Sequence, residues 1–141
     1  MSGRWRKLMV TIEDLTVLRA PIERCFDLAR SVEVHLAGNV HSGETAVATA
    51  GVTTGLISLG QRVAWRAKHF GVWHNLTSEI TAMDRPAWFQ DNMVQGIFRL
   101  MKHDHFFRTL SRKETEMKDV FCFAAVIKEI AESSEWRRYM P

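Results

Sequence analysis

At 141 residues the chain has room for one domain with a genuine core and too little for two, so a single domain over 1–141 is expected. Apolar residues at 46% and charged residues at 25% exclude a largely disordered chain, and a net charge of +3 on scattered Lys and Arg argues against a nucleic-acid partner. No run approaches the ~20 apolar residues of a membrane span, the basic start leads into polar residues, and Cys25 and Cys122 make neither a disulfide framework nor a metal knuckle, so a cytoplasmic protein with reduced thiols is expected.

Met9 to Leu18 is rich in Val, Thr, Ile and Leu and predicts a strand whose alternation breaks around Glu13 and Asp14. Ala20-Pro21 ends it. Pro21 suits the first position of a helix over 21–30, with Glu23 in the first turn and Ile22, Cys25, Phe26 and Ala29 on one face. Ser31 caps a second short helical turn reaching Leu36, after which Gly38, Asn39, Ser42 and Gly43 mark an exposed loop. A short strand over 45–50 precedes a glycine-containing stretch over 51–60. That stretch lacks the Gly-Lys-Ser/Thr ending of a phosphate loop and no clear helix follows it, so no nucleotide site is expected there.

Over 61–70, Val63, Trp65, Ala67 and His69 share one face while Arg62, Ala64, Arg66 and Lys68 share the other, which makes the first set the inner one. A tight connection at Gly71-Val72 sets Val63 opposite Ile80, Trp65 opposite Ser78, Ala67 opposite Leu76 and His69 opposite His74. Outside, it pairs Arg66 with Thr77 and Ala64 with Glu79. Asp84-Arg85-Pro86 turns the chain into a strand over 88–94, which ends in a Gln95-Gly96-Ile97 loop. Strands over 98–110 and 114–125, joined by Ser111-Arg112-Lys113, set Phe107 against Met117, His105 against Asp119, His103 against Phe121 and Met101 against Phe123. One more loop residue would put Phe107 across from Lys118, so the apolar pattern selects this register. Arg108 and Glu116 pair on the outer face. A final helix over 126–139 presents Val126, Ile127, Ile130, Ala131 and Trp136 on its apolar side. This order calls for an α+β fold in which an antiparallel sheet wraps and the last helix lies across its concave face.

Several segments together resemble a known family. They are Ala20-Pro-Ile-Glu-Arg-Cys-Phe-Asp-Leu-Ala, Gly60-Gln-Arg-Val-Ala-Trp-Arg-Ala-Lys-His-Phe-Gly71, Leu76-Thr-Ser-Glu-Ile-Thr, Asp84-Arg-Pro, Phe89-Gln-Asp91 with Met93-Val-Gln-Gly96, and His103-Asp-His105-Phe. Their pattern resembles the ligand-binding branch of the START/Bet v 1-like (SRPBCC) superfamily, near the polyketide cyclase/dehydrase group, over about residues 8–125. The resemblance implies a helix-grip fold, with two short helices after the first strand and a sheet gripping a C-terminal helix over a deep cavity. It implies no single function, since members include lipid carriers, hormone receptors, cyclases and hydroxylase subunits. Relatives usually carry a longer closing helix than this chain. The shortened one leaves the cavity partly open or completed by a second subunit, so a homodimer is expected.

Alternation puts His69, His103, His105 and Asp119 inside, with His74 at a turn end and Asp91 inside if the Gly96 loop has the assumed length. Such groups are costly there unless paired, which gives three readings. In the first, His105 donates to Asp119 within a satisfied core network. In the second, His103 and His105 at i and i+2 present two imidazoles to a metal, with His69, Asp91 or Asp119 as a third ligand. In the third, Asp119 holds His105 as a general base that removes a proton beside a carbonyl in a polyketide-like substrate, making His105 and Asp119 the candidate catalytic residues. Because Asp119 already partners His105 and the resemblance requires no metal, no metal and no cofactor are expected.

The candidate ligand-binding residues are Trp65, His69, Ile80, Phe89, Asp91, Met93, Met101, His103, Phe107, Met117, Phe121 and Phe123. The apolar ones could equally fill a solid core. Soft methionines among rings and convergent polar groups are nevertheless what ligand sites commonly show. The leading expectation is therefore a binder of a small hydrophobic molecule, lipid-, polyketide- or isoprenoid-like. A cyclase- or dehydratase-type enzyme comes second, and a structural or partner-binding domain third. No Ser/His/Asp elbow or glycosidase-like carboxylate pair supports hydrolysis.

Overall fold

A computed structural model describes residues 9–38, 43, 45–47, 51–69, 71–96 and 100–124, the side chains of 45–47 and His69 excepted. The elements in chain order are β1 (Met9–Leu18), α1 (Ile22–Ala29), α2 (Val32–Gly38), β2 (Thr45–Val47), β3 (Arg62–His69), β4 (Val72–Asp84), β5 (Trp88–Gln95), β6 (Leu100–Ser111) and β7 (Glu114–Ala124). The seven strands form one curved antiparallel sheet in the order β1-β7-β6-β5-β4-β3-β2. β1 and β2 are thus opposite edges, and the chain between them must cross the sheet. It does so as α1 and α2, with α1 touching β6 and β7 and α2 touching β2.

Pro21 is the N-cap of α1, one position earlier than expected, in extended conformation at φ −61° and ψ 151°. Its carbonyl accepts the N–H of Arg24 and Cys25 at 3.1 Å each, so the helix starts without a side-chain cap. Ser31 caps α2 as expected, its Oγ accepting the Val34 N–H at 3.3 Å, and α2 extends to Gly38. Asp27 fastens α1 to the β4–β5 turn, accepting from both terminal nitrogens of Arg85, at 2.6 and 3.0 Å, and from Arg30 at 2.9 Å. Thr115 Oγ1 donates to the Ala20 carbonyl at 2.8 Å, tying the β1–α1 corner to β7.

The β6–β7 register is the expected one, with Phe107↔Met117, His105↔Asp119, His103↔Phe121 and Met101↔Phe123. Ser111 itself pairs with Glu114, and an irregularity between Thr109 and Ser111 absorbs the odd residue, so the connection is shorter than the expected three-residue loop. The β3–β4 register corrects the expected one. Val63 faces Ser78, Trp65 faces Leu76, Ala67 faces His74 and His69 faces Val72, while outside Arg66 meets Asn75 and Ala64 meets Thr77. β3 ends at His69 and β4 begins at Val72, with Gly71 in the left-handed conformation at φ +75° that suits a tight connection. The difference is two residues per partner, so every side chain keeps its face.

In β4 a register shift between Ile80 and Ala82 leaves Thr81 unpaired, so Ile80 pairs with Asp91 and Met83 with Phe89, both pairs on the inner face. α1 presses Phe26, wholly buried, edge-on against Phe89 at 5.4 Å and Phe107 at 5.6 Å, with Cys25 and Ile80 completing this part of the core. A second cluster, Val32, Val63 and Trp65, lies under α2. Among the described residues no helix is long and apolar enough to cross a membrane. The expected closing helix over 126–139, with the dimer built on it, lies outside the described residues, as do 48–50 of the expected strand over 45–50.

Candidate functional site

The antiparallel registers lay the concave face out as a grid. One row runs Asp14, Asp119, His105, Phe89, Met83 across β1, β7, β6, β5 and β4. The next runs Ile12, Phe121, His103, Asp91, Ile80, and the one beyond begins Val10, Phe123, Met101. Two histidines and two aspartates therefore occupy adjacent corners of two rows on β5, β6 and β7, with rings on either side.

Their contacts run both across and diagonally. His105 Nδ1 meets Asp119 Oδ1 directly across the strands at 2.7 Å, and its Nε2 meets Asp91 Oδ2 on the other flank at 2.9 Å. His103 reaches diagonally to the same Asp119 Oδ1, at 3.2 Å from its Nε2. The two imidazoles lie 3.8 Å apart, with Phe89 stacked on His105 at 4.2 Å and Phe121 edge-on to His103 at 5.4 Å. Side-chain exposure is 2% for Asp119, 5% for His105 and 7% for His103 but 20% for Asp91, so Asp91 is the member nearest solvent.

A neutral imidazole donates from one nitrogen only, yet both nitrogens of His105 face carboxylates. Burial alone would push its pKa down; hydrogen bonds to Asp119 and then Asp91, with their charges, outweigh burial and raise it to about 9. Burial likewise opposes ionisation of Asp119, but hydrogen bonds from His103 and His105 bring it down to about 2. For Asp91 burial is again overcome, chiefly by the His105 hydrogen bond and then by the charges of His103 and His105, so it too lies below the ordinary carboxylate range. At neutral pH the cluster is two carboxylates around an imidazolium.

Of the candidate residues, the structure gathers Asp91, His103, His105 and Asp119, flanked by Phe89 and Phe121. Met101 and Phe123 pack beside them with the half-buried Met93 and Phe121. Ile80, Phe89 and Phe107 are packed with α1, and Met117 lies at the margin of that core. Trp65 belongs to the cluster under α2, donating its Nε1–H to Ser78 Oγ at 3.1 Å. The backbone of His69 ends β3, and its side chain is outside the described set.

His35 on α2 is a participant that the sequence reading missed. Its ring lies 4.2 Å from that of Trp65, and its charge adds to those holding the Asp91 carboxyl ionised. Its spacing of three residues from the buried Val32 on a helix was the available signal. Asp104 was also missed. On the outer face it is buried by Trp88 and Gln90, whose N–H groups reach its Oδ1 at 3.0 and 2.8 Å.

No family model matches the chain, and no curated protein matches it in sequence. Solved structures match it in fold. A START superfamily protein from Mycobacterium smegmatis is 9% identical, with 91% of this chain and 90% of that one covered at a TM-score of 0.68. The Zhui aromatase/cyclase from Streptomyces is 15% identical over 87% of this chain and 73% of its own, at 0.64. Norcoclaurine synthase from Thalictrum flavum, in complex with dopamine and hydroxybenzaldehyde, is 9% identical over 97% and 84%, at 0.63. At these identities the likeness establishes the fold. The chain has the α+β, START/Bet v 1-like helix-grip fold that the sequence segments led us to expect.

Proposed function

We propose that the chain binds a small, largely apolar molecule on the concave face of the sheet. The apolar part lies against Phe121, Met101 and Met93, and a polar group of the ligand is held at the Asp91 side of the histidine–aspartate cluster. The observation that carries this reading is a charged network embedded among rings with one member, Asp91, still a fifth exposed. Charges in apolar surroundings are expensive, and a purely structural interior would be filled as well by hydrocarbon. A partly open acceptor beside soft apolar side chains is what orients a small molecule. Fold relatives that include a cyclase and a synthase holding two small aromatic molecules support the same reading.

Titration with an environment-sensitive apolar dye tests it. The expected result is saturable binding that Phe121→Arg, on the concave face, abolishes and Phe106→Ser, on the convex face, leaves intact. Absence of saturable binding, or equal loss in both variants, overturns the reading.

Catalysis of the cyclase or dehydratase type is a second reading, favoured by the 2.7 Å His105–Asp119 contact. With Nδ1 on Asp119 and Nε2 on Asp91, His105 donates to a carbonyl oxygen only by releasing Asp91, and it becomes a base only near pH 9. A His105→Ala variant that keeps dye affinity and also keeps turnover of a candidate substrate excludes His105 from the chemistry.

A further inference from the structure

We propose that Asp91, His103 and His105 form a binding site for one divalent transition-metal ion of zinc's coordination preferences, with Asp119 as the positioning carboxylate. One ligand atom from each of the three residues lies within 4.8 Å of the others, and the closest pair, His105 Nε2 and Asp91 Oδ2, is 2.9 Å apart. Ligands around a tetrahedral ion at ~2.0–2.1 Å bond lengths are roughly 3.3 Å apart, so small side-chain rotations complete the site. Two imidazoles and a carboxylate are a donor set that suits zinc and its first-row neighbours.

The supporting geometry lies in Asp119. It takes His105 Nδ1 at 2.7 Å and His103 Nε2 at 3.2 Å on a single oxygen, Oδ1. This is the carboxylate–histidine arrangement that fixes the tautomer and orientation of metal-binding imidazoles, and here one carboxylate serves both rings. The nitrogens left for coordination are His105 Nε2 and His103 Nδ1. The expectation of no metal rested on Asp119 occupying His105 and on a resemblance that requires none. In the structure Asp119 occupies the nitrogen that a metal would not use.

Three protein ligands leave a fourth position, on the partly exposed Asp91 side, for an oxygen of water or of a bound molecule. This inference does not depend on the apolar-ligand reading, since the metal is bound or not whatever lies against Phe121.

The test uses the whole chain, stripped with chelator, incubated with Zn2+ alone, desalted and analysed for metal, alongside calorimetric titration. One equivalent of zinc per chain is expected. Asp119→Asn is expected to weaken binding by ~10–100-fold, and Asp91→Asn by more than that. Because Asp91 is the most exposed ligand, Asp91→Asn is the variant expected to keep its far-UV circular dichroism. Co2+ in place of zinc provides a measurement that needs no variant: intense visible absorption reports four or five ligands. Less than one equivalent retained, unchanged affinity in Asp91→Asn, or a pale octahedral Co2+ spectrum overturns the proposal.

Discussion

The concave face of this sheet is filled in two different ways within adjacent rows of residues. Under α1 it is closed by hydrocarbon, with Phe26 wholly buried between Phe89 and Phe107. Beside Phe89 it is closed by charge, with His105 held between Asp119 and Asp91. The hydrocarbon region is tolerant, because any register that keeps these rings inward buries about the same area. The charged region is selective. Sliding β6 past β7 by two residues would keep every face but set His105 against Met117 or Phe121, with Asp119 opposite His103 in the first case and Phe107 in the second, so His105 loses the carboxylate across from it. The polar cluster therefore discriminates between registers that apolar periodicity accepts equally, at the risk of a large penalty if one partner is lost.

Breaking the hydrocarbon side should have the largest effect. Phe26→Ala removes a ring with no exposure and two edge-on contacts, and a loss of about 4 kcal/mol in urea unfolding is expected. A loss near the exposed-residue range would mean that α1 does not seal this part of the core. On the charged side, Asp119→Ala leaves two buried imidazoles facing an absent acceptor and is expected to lose about 3 kcal/mol. Comparable stability in Asp119→Ala and wild type would show that the cluster contributes nothing to folding.

The two regions also separate by pH, which sharpens the contrast without altering the core. His105 is raised from 6.5 to about 9 in the folded chain, so its stabilisation is fully present below pH 6.5 and is lost as pH rises through 9. Asp119 is lowered from 3.8 to about 2, so its stabilisation is present above pH 3.8 and is lost as pH falls through 2. The cluster stabilises most between those limits. Unfolding free energy measured across pH should therefore fall on the alkaline side between 6.5 and 9, and His105→Gln should remove that limb. An identical alkaline limb in His105→Gln would assign it to other groups. Phe26→Ala should lower the whole curve without changing this slope.

The same contrast explains what was legible in the sequence. Faces were legible, because alternation and the 3.6-residue period are properties of single segments. The β6–β7 register was also legible, since apolar and polar partners fall together only in that pairing. The β3–β4 register was not: Val63, Trp65 and Ala67 meet inward residues in either of two alignments, and the turn decides between them. Gly71→Ala probes that turn. With φ at +75° and no atom within 4 Å of the added Cβ, the loss should come from backbone strain alone, about 1 kcal/mol. The diagonal contacts of the site were illegible for a further reason. Register names the residue directly opposite, Phe121 for His103, whereas rotamer and strand twist bring His103 to Asp119. His35 arrives from a helix, and no strand alignment could have placed it beside Trp65.

The smallest effect is expected on the convex face, which provides the control for the rest. Arg108 and Glu116 meet as the sequence suggested, with two guanidinium nitrogens at 3.0–3.2 Å from the carboxylate, but the arginine side chain is 70% exposed. Water screens the pair and the long side chain gives up rotamer freedom to make it, so Arg108→Ala should lose well under ~1 kcal/mol. The residue lies one position beyond Phe107 on the same strand, so it reports what a charge contributes when the sheet is unchanged and only the face differs. If Arg108→Ala in a urea melt lost as much as Asp119→Ala, the penalty at Asp119 could not be attributed to burial, and the distinction between the two faces would collapse. A change inside the expected range, with Asp119→Ala several times larger, assigns that penalty to two imidazoles left without their acceptor in a water-poor interior.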